Sequence, residues 1–364
     1  MATEKRNVAV GLSGGTDSTM AAYLLRERGL RVVGITLRLW HEPSTRSSEA
    51  HLERAAEVAR RLGIPHHIID ARDVFRSTIV EPFIAAYRAG LTPSPCVRCN
   101  ARIKFGLMLE AARALGCEAL ATGHYARLDE PEPGRCRLRR GVDPDKDQSY
   151  FLAHLSQDQL AHAVLPLGDL TKRVVAAEGR RLGLIPHRLE ESQDLCFIPD
   201  GDYVAFLRRQ CPEGLPEDGD IVDRDGHRLG RHHGAHAFTI GQRRGLGLSG
   251  GPWYVLGTDL ASQRVTVGSR EEAMAREARL AEMNWLQRPA APCFQAEAQV
   301  RYAMAPAAVG VEVLDGNGAR LRFERPILAV APGQFAVVYR GDEVLGGGWI
   351  RPADETPASA GAMP

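Results

Sequence analysis

The sequence predicts an α/β protein: an N-terminal doubly wound parallel sheet followed by two small β-rich domains. Three observations carry this. Short apolar runs alternate with amphipathic helical stretches through the N-terminal half, as βαβ units require. At 211–220, CPEGLPEDGD is rich in turn formers, and beyond it only short strands separated by turns follow. A further break falls in SREEAMAREARL, 269–280. The expected segments are therefore 1–211, 212–275 and 276–353, with a disordered tail at 354–364.

The elements follow in order. NVAVGL (7–12) is a short buried strand running into a glycine-rich loop. In STMAAYLLRERG, Met20, Tyr23 and Leu24 share a helical face and Gly29 suits the C-cap. RVVGITL (31–37) is a second buried strand. EAHLERAAEVARRLG repeats the helical spacing through Leu52, Ala55, Ala56, Ala59 and Leu62, and stops at Gly63. HHIIDAR is a third strand, and DVFRSTIVEPFIAAYRAG a helix expected to break near Pro82. IKFGLMLEAARALG is helical and EALATG (118–123) is a strand. In the C-terminal part, Asp225-Gly226, Ser262-Gln263 and Asp315-Gly316 mark turns. Leu321 and Phe323 alternate with Arg322 and Glu324, the period of a strand with one buried face.

Bulk properties narrow the function classes. Lys and Arg number 46 against 45 Asp and Glu, so no global positive field announces a polyanion, and any nucleic acid must be met by local patches. Such patches are Arg135, Arg137, Arg139, Arg140 and Lys146, then Arg208-Arg209 and Arg243-Arg244; each alone reads as solvated surface. Seven scattered cysteines make no disulfide scaffold and suggest a reducing compartment. MATEKRNVAV carries Glu4 and no apolar leader, and no run approaches the ~18 apolar residues of a membrane span, so a cytoplasmic protein without a membrane partner is expected.

Residues 11–18, GLSGGTDS, lie between the first strand and the first helix. Glycines there let backbone N–H groups approach an anion, and the helix N-terminus adds free donors and partial positive charge. Ser13 and Ser18 add hydroxyls. This is a phosphate cradle, but not the loop of kinases and GTPases, since no lysine follows the glycines. A plain strand-to-helix turn capped by Asp17 is the competing reading.

PSPCVRCNARIKF (94–106) places Cys96 and Cys99 in a loop before a helix. Arg98, Arg102 and Lys104 are close in sequence, and such cations favour thiolate. Structural zinc would need four ligands, and only one such cysteine pair exists. Cys117, Cys136, Cys211 and Cys293 lack any motif and read as small buried hydrophobes.

The string SGGTDS resembles the PP-loop of the ATP pyrophosphatase superfamily. Taken with PSPCVRCNARIKFG, ATGHYARL, KDQSYFLAHL, ESQDLCFI, TIGQRRGLGL and PWYVLGTD in this order, the chain from about 7 to 352 resembles tRNA-specific 2-thiouridylases, tRNA uridine 2-sulfurtransferases acting at the wobble position. The resemblance implies an adenine nucleotide alpha hydrolase-like fold for 1–211 and a tRNA-contacting β-barrel at 276–353. It implies that Gly11, Leu12, Ser13, Gly14, Gly15, Thr16, Asp17 and Ser18 hold ATP, with Mg²⁺ near Asp17, and that Leu37 and Gly123 complete the nucleotide site. ATP would adenylylate the uracil 2-oxygen. Cys196 matches the residue that receives sulfur as a persulfide from a sulfur-relay protein or desulfurase. Cys99 matches the second thiol, leaving a Cys99–Cys196 disulfide or releasing sulfide.

The resemblance also implies a pocket for the flipped uridine at Ser94, Pro95 and Cys96, and tRNA contacts at His124, Lys146, Asp147, Gln148, Arg301, Tyr302 and Gln334. Without it, His124 reads as a packed histidine after a strand. One departure matters: many family members carry Asp where this chain has Cys96. Cys96, Cys99 and Cys196 together would suit a [4Fe–4S] cluster with one open iron, an alternative to persulfide chemistry. Two other classes stand beside these: a PP-loop ligase forming amides, which needs no paired thiols, and a non-catalytic RNA-binding protein with a relic loop.

Overall fold

The computed structural model describes residues 7–42, 49–185, 195–211, 213–215 and 218–352. Glu4, the 354–364 tail and the 191–194 part of the ESQDLC motif lie outside the described residues. The chain divides into two compact units: Met1–Ile79 with Cys96–Pro199 and Gly341–Val344, and Val80–Pro95 with Asp200–Arg340 and Leu345–Pro364.

The chain begins with β1 (Asn7–Gly11), α1 (Thr16–Glu27), β2 (Arg31–Arg38), α2 (Ala50–Leu62) and β3 (His66–Asp70). A helical run follows as α3 (Arg72–Phe75), a π-helical turn Arg76–Val80 and α4 (Glu81–Arg88). The cysteine segment is α5 (Pro95–Cys99), continued by π-helical Asn100–Met108 and α6 (Leu109–Ala114). Then come β4 (Ala119–Ala121), the hairpin β5 (Ala126–Glu132) and β6 (Arg135–Arg140), α7 (Ser149–Leu152), α8 (Gln157–Ala161), β7 (Ala163–Val164) and α9 (Lys172–Arg181).

In the first unit the strands form a parallel sheet in the order β3-β2-β1-β4-β7. Val8 sits opposite both Val32 and Ala119, so β1 is central. Its residues Val8 and Val10 are buried with Ala21, Ala22 and Leu25 of α1 and Ala55, Val58, Ala59 and Leu62 of α2. Helix α1 has a second packed face, where Met20, Tyr23 and Leu24 meet Tyr125, Leu167 and Val175. The face read from sequence is thus one of two. In α2 the buried set is Leu52, Ala55, Val58, Ala59 and Leu62; Ala56 points to solvent.

Two expectations are corrected. Pro82 does not break its helix: it sits in the first turn of α4, directly after the widened π turn. Such a turn shifts the phase of the hydrogen-bond ladder, so the missing proline N–H is tolerated. Cys96 and Cys99 do not lie in a loop before a helix either. They already belong to α5, which Pro95 opens, in keeping with the fixed φ of proline at a helix start.

The second unit holds α4, α10 (Tyr203–Gln210) and the later strands, apart from Glu343 and Val344 at the start of the last one. Phe83 meets Phe206 edge-on and Tyr87 stacks on Tyr203, ring centroids 6.1 and 4.8 Å apart. A small sheet orders β8 (Asp218–Val222), β9 (Arg228–His233), β10 (Tyr254–Asp259) and β11 (Arg264–Gly268) as β10-β11-β8-β9. Next come β12 (Met274–Trp285), β13 (Cys293–Gln299), β14 (Ala307–Leu314), β15 (Gly318–Leu328), β16 (Phe335–Arg340) and β17 (Glu343–Ile350). Their order is β12-β15-β14-β13-β16-β17, and β12 pairs with β17. That last pairing closes the antiparallel sheet into a barrel and removes its edges. All three turns read from sequence are present, with Gly226, Gln263 and Gly316 at positive φ. The fold class predicted from sequence is the one observed.

Leu321 and Phe323 point into the barrel, at 0% and 6% exposure, while Arg322 and Glu324 face out. Leu321→Ala should therefore cost about 2–5 kcal/mol in denaturant unfolding, and Glu324→Ala less than about 0.5 kcal/mol. Equal costs would mean that the alternation does not define the core.

Candidate active site

The glycine loop is held from both sides. Leu12 N donates to Ile35 O, and Thr36 Oγ1 donates to Leu12 O, both at 2.8 Å. The Ser13 and Ser18 hydroxyls lie 3.1 Å apart across the loop, and Ser13 N donates to Ser18 Oγ. Gly15 is the N-cap of α1 and is extended, with no side chain capping the helix. The capping reading of Asp17 is therefore excluded, and the helix start keeps its donors for an anion. Gly14 has φ +73, and a Cβ there would lie 2.6 Å from Arg54 Cβ. Gly123, just past β4, would put a Cβ 2.7 Å from the backbone carbon of Asp17. The strand end can approach the first turn of α1 only without a side chain. Leu37, near the end of β2, is buried.

Asp17 has partners that no local sequence signal announces. Lys172 Nζ, at the start of α9, lies 2.8 Å from both Asp17 oxygens. Tyr125 OH donates to Asp17 Oδ1 at 2.8 Å. The cation missing from the loop is thus supplied 155 residues later. Its one sequence trace is a lysine following Thr171, a good N-cap.

Cys96 and Cys99 are half-buried and Cys196 is exposed; all three are free thiols. Solvent reaches Cys196, yet the protein packed around it dominates: burial pushes its thiol up to about 12, with repulsion from Cys99 and then Cys96 adding to it and Lys104 opposing it. Burial likewise pushes Cys99 up to about 11, against Lys104. Cys96 is raised by the same burial, again opposed by Lys104. The three sulfurs and the Lys104 ammonium thus share one electrostatic neighbourhood. The sequence expectation that nearby cations yield thiolates is corrected: desolvation outweighs the cation. The shift keeps these sulfurs protonated near neutral pH.

His124 is buried, with Nδ1 2.7 Å from Thr122 Oγ1 and Nε2 3.5 Å from Lys104 Nζ. Burial, then the Lys104 charge, holds it well below its usual range, so the ring is neutral. An ammonium only donates, so Nε2 accepts and Nδ1 carries the proton.

The other residues read from sequence are placed as follows. Asp147 is turned inward, accepting from Gly141 N, Ser149 N and Ser149 Oγ and pairing with Arg140. Gln148 Oε1 accepts from Tyr125 N. Lys146 is half-buried on the same loop. The arginines of β6 are largely answered by acids: Arg137 pairs with Asp129 at 2.7 Å, Arg139 with Asp129 at 3.3 Å and Arg135 with Glu132 at 3.7 Å. Acids of the same hairpin thus offset that patch. In the second unit Arg301 and Tyr302 are exposed. Gln334 Nε2 donates to Thr92 O and Pro93 O, fixing the backbone just before Ser94 and Pro95.

Among the described residues, the metal-capable set whose ligand atoms all lie within 4.8 Å of one another is Asp223, Asp225 and His227. A turn explains it, since Asp223 Oδ1 accepts from both Asp225 N and His227 N. The three thiols do not meet that spacing.

A parallel sheet with an uncapped glycine loop where its central strand meets α1 defines an α/β protein with room for an anion at that helix start. Residues 6–200 match the tRNA methyl transferase HUP domain, 205–269 the tRNA methyl transferase PRC-barrel domain and 275–350 the Aminomethyltransferase beta-barrel domain. The chain is 45% identical over 348 residues to the tRNA-specific 2-thiouridylase MnmA of Pelobacter propionicus, covering 95% of this chain and 98% of that protein. It is 44% identical to the same enzyme of Magnetococcus marinus over 357 residues, 96% of this chain and 99% of that one. With the Chloroflexus aggregans enzyme it shares 45% over 352 residues, 94% and 98% of the two chains. The chain belongs to the tRNA-specific 2-thiouridylase MnmA family, and its activity is 2-thiolation of tRNA uridine. No described helix is long and apolar enough to cross a membrane.

Two outcomes follow from this geometry. Gly14→Ala, strained by its positive φ and blocked by Arg54, should weaken ATP binding by at least about tenfold, measured by equilibrium dialysis; unchanged affinity would remove the loop from the nucleotide site. Lys104→Met removes the charge that opposes burial, so the Cys196 thiol should move further up. Its alkylation by iodoacetamide at pH 9 should then be slower than in the wild type, and faster alkylation would contradict the arrangement.

Proposed function

We propose that the protein uses ATP to thiolate the wobble uridine of tRNA, by adenylylating the uracil 2-oxygen and delivering sulfur from a persulfide on Cys196. The observation that carries this is the grouping of Cys99, Cys196 and Lys104 in the unit that also holds the open glycine loop.

The chemistry has two halves. An oxygen does not leave an amide-like carbon unaided, so ATP first converts it into a leaving group. The uracil 2-oxygen bonds to the α-phosphorus, the α–β phosphoanhydride breaks, and the electron pair departs with pyrophosphate. The loop N–H groups and the Ser13 and Ser18 hydroxyls would hold those phosphates. Mg²⁺ would accompany them, a hard cation suited to phosphate and carboxylate oxygens. Asp17 is the carboxylate at the loop, and it would exchange Lys172 for that ion.

Sulfur then replaces the activated oxygen. The persulfide on Cys196 comes from a sulfur-relay protein or desulfurase. Cys99 attacks Cys196 Sγ, the persulfide S–S bond breaks, and its terminal sulfur ends on carbon 2 as AMP departs with the oxygen. A Cys99–Cys196 disulfide remains, which an external thiol reduces. Burial pushes the resting Cys99 and Cys196 thiols up to about 11 and about 12, so each must give up its proton before it attacks. Neutral His124, with its ring nitrogens engaged by Thr122 and Lys104, would hold the Lys104 ammonium in place without adding charge. Ser94, Pro95 and Cys96 border that base, while Lys146, Asp147, Gln148, Arg301, Tyr302 and Gln334 serve the tRNA, the inward-facing ones by shaping their loops.

The raised thiol count at this site supports a second reading. Cys96 and Cys99 both act on Cys196, a three-cysteine donor set of the kind that holds an iron–sulfur cluster. Cys96, Cys99 and Cys196 would hold such a cluster, which would supply iron as a soft acceptor for sulfide.

Mass spectrometry of nucleosides from tRNA incubated with protein, ATP and a sulfur donor tests the proposal. Wild type should form 2-thiouridine, and Cys99→Ser and Cys196→Ser should each reduce it by at least about a hundredfold. Full activity of either variant would sink the persulfide route. Colourless, iron-free and fully active wild type would exclude the cluster.

A further inference from the structure

We propose that Lys172 is a catalytic residue of the adenylylation half-reaction, the cation that neutralises the departing pyrophosphate; this rests on the adenylylating reading above. No residue from 11 to 18 is Lys or Arg, so the loop itself offers only dipoles and hydroxyls to a polyanion. Folding brings a full positive charge to it. Lys172 is built into place rather than lying loose on the surface: its backbone N donates to Asp143 Oδ2 at 2.8 Å, and its ammonium stands 5.9 Å over the Tyr125 ring. Its side chain is 17% exposed.

The ion pair makes this position informative. Asp17 Oδ1 already receives Tyr125 OH at 2.8 Å, so this carboxylate has a neutral partner besides Lys172. Lys172 is the counter-ion of Asp17. When the triphosphate enters the loop, the ammonium turns to the stronger anion beside it. The step balances without a proton from lysine. The uracil oxygen gains the bond to the α-phosphorus, and the bridging oxygen takes the electron pair of the broken anhydride. The uracil N3 proton passes to water. Pyrophosphate gains one negative charge as the bond breaks, and an ammonium is worth most where charge develops. A lysine acts here as a point charge, as it does on other phosphates.

ATP- and tRNA-dependent pyrophosphate release, measured beside ATP affinity by equilibrium dialysis, tests this. Lys172→Met should lower kcat by about a hundredfold or more while weakening ATP binding by less than about tenfold. Lys172→Arg should recover part of the loss. Lys172→Gln carries the same expectation should the methionine variant fail to fold, and thermal melting identifies that case. Pyrophosphate release within threefold of wild type in either neutral variant would overturn the assignment. So would a loss confined to ATP affinity, the signature of a residue that only shapes the loop. Wild type releasing no pyrophosphate would instead sink the adenylylation reading itself.

Discussion

A parallel sheet delivers the carboxyl ends of all its strands to one edge, and everything at this site depends on that constraint. β1 ends at Gly11, β4 at Ala121 just before Gly123, and β2 at Arg38, next to Leu37. Because β1 pairs with both β2 and β4, three loops meet where α1 begins. The uncapped start of α1 then has a partial positive charge and unspent N–H groups facing the same place. Gly14 and Gly123 are needed because backbone packs against backbone there. A side chain at either would separate the elements whose approach makes the site.

Burial and charge divide the labour within the first unit. At the phosphate loop a fixed cation is brought in from α9. At the thiols the balance runs the other way: protein mass outweighs Lys104 and keeps the sulfurs protonated. The thiolate is the reactive form, so each sulfur must shed its proton before it attacks. Lys104 couples the thiols to His124, whose neutral ring is tied to Thr122.

Much of this was readable from sequence because the signals are local. The alternation of strands and helices, the packed face of Met20, Tyr23 and Leu24, the turns at Gly226 and Gly316, and the inward Leu321 and Phe323 all depend on neighbours a few residues apart. The misses are of another kind. Lys172 and Tyr125 reach Asp17 across 155 and 108 residues, and no spacing rule spans that distance. Asp129 answers Arg137 because β5 and β6 pair antiparallel, so a string of arginines that looked basic is largely neutralised. Cations adjacent in sequence are visible while desolvation is not, so sequence points the thiol pKa the wrong way. The π turn before Pro82 has no sequence signature, so the proline looks like a break.

The central claim is that Cys99 and Cys196 act as one pair on an activated uridine. Its most direct test is a single turnover with persulfide-loaded protein, ATP and tRNA in the absence of reductant, followed by mass spectrometry of the protein under non-reducing conditions. A Cys99–Cys196 disulfide should form in equal amount with 2-thiouridine and AMP. Thiouridine formed with both cysteines still free would contradict it.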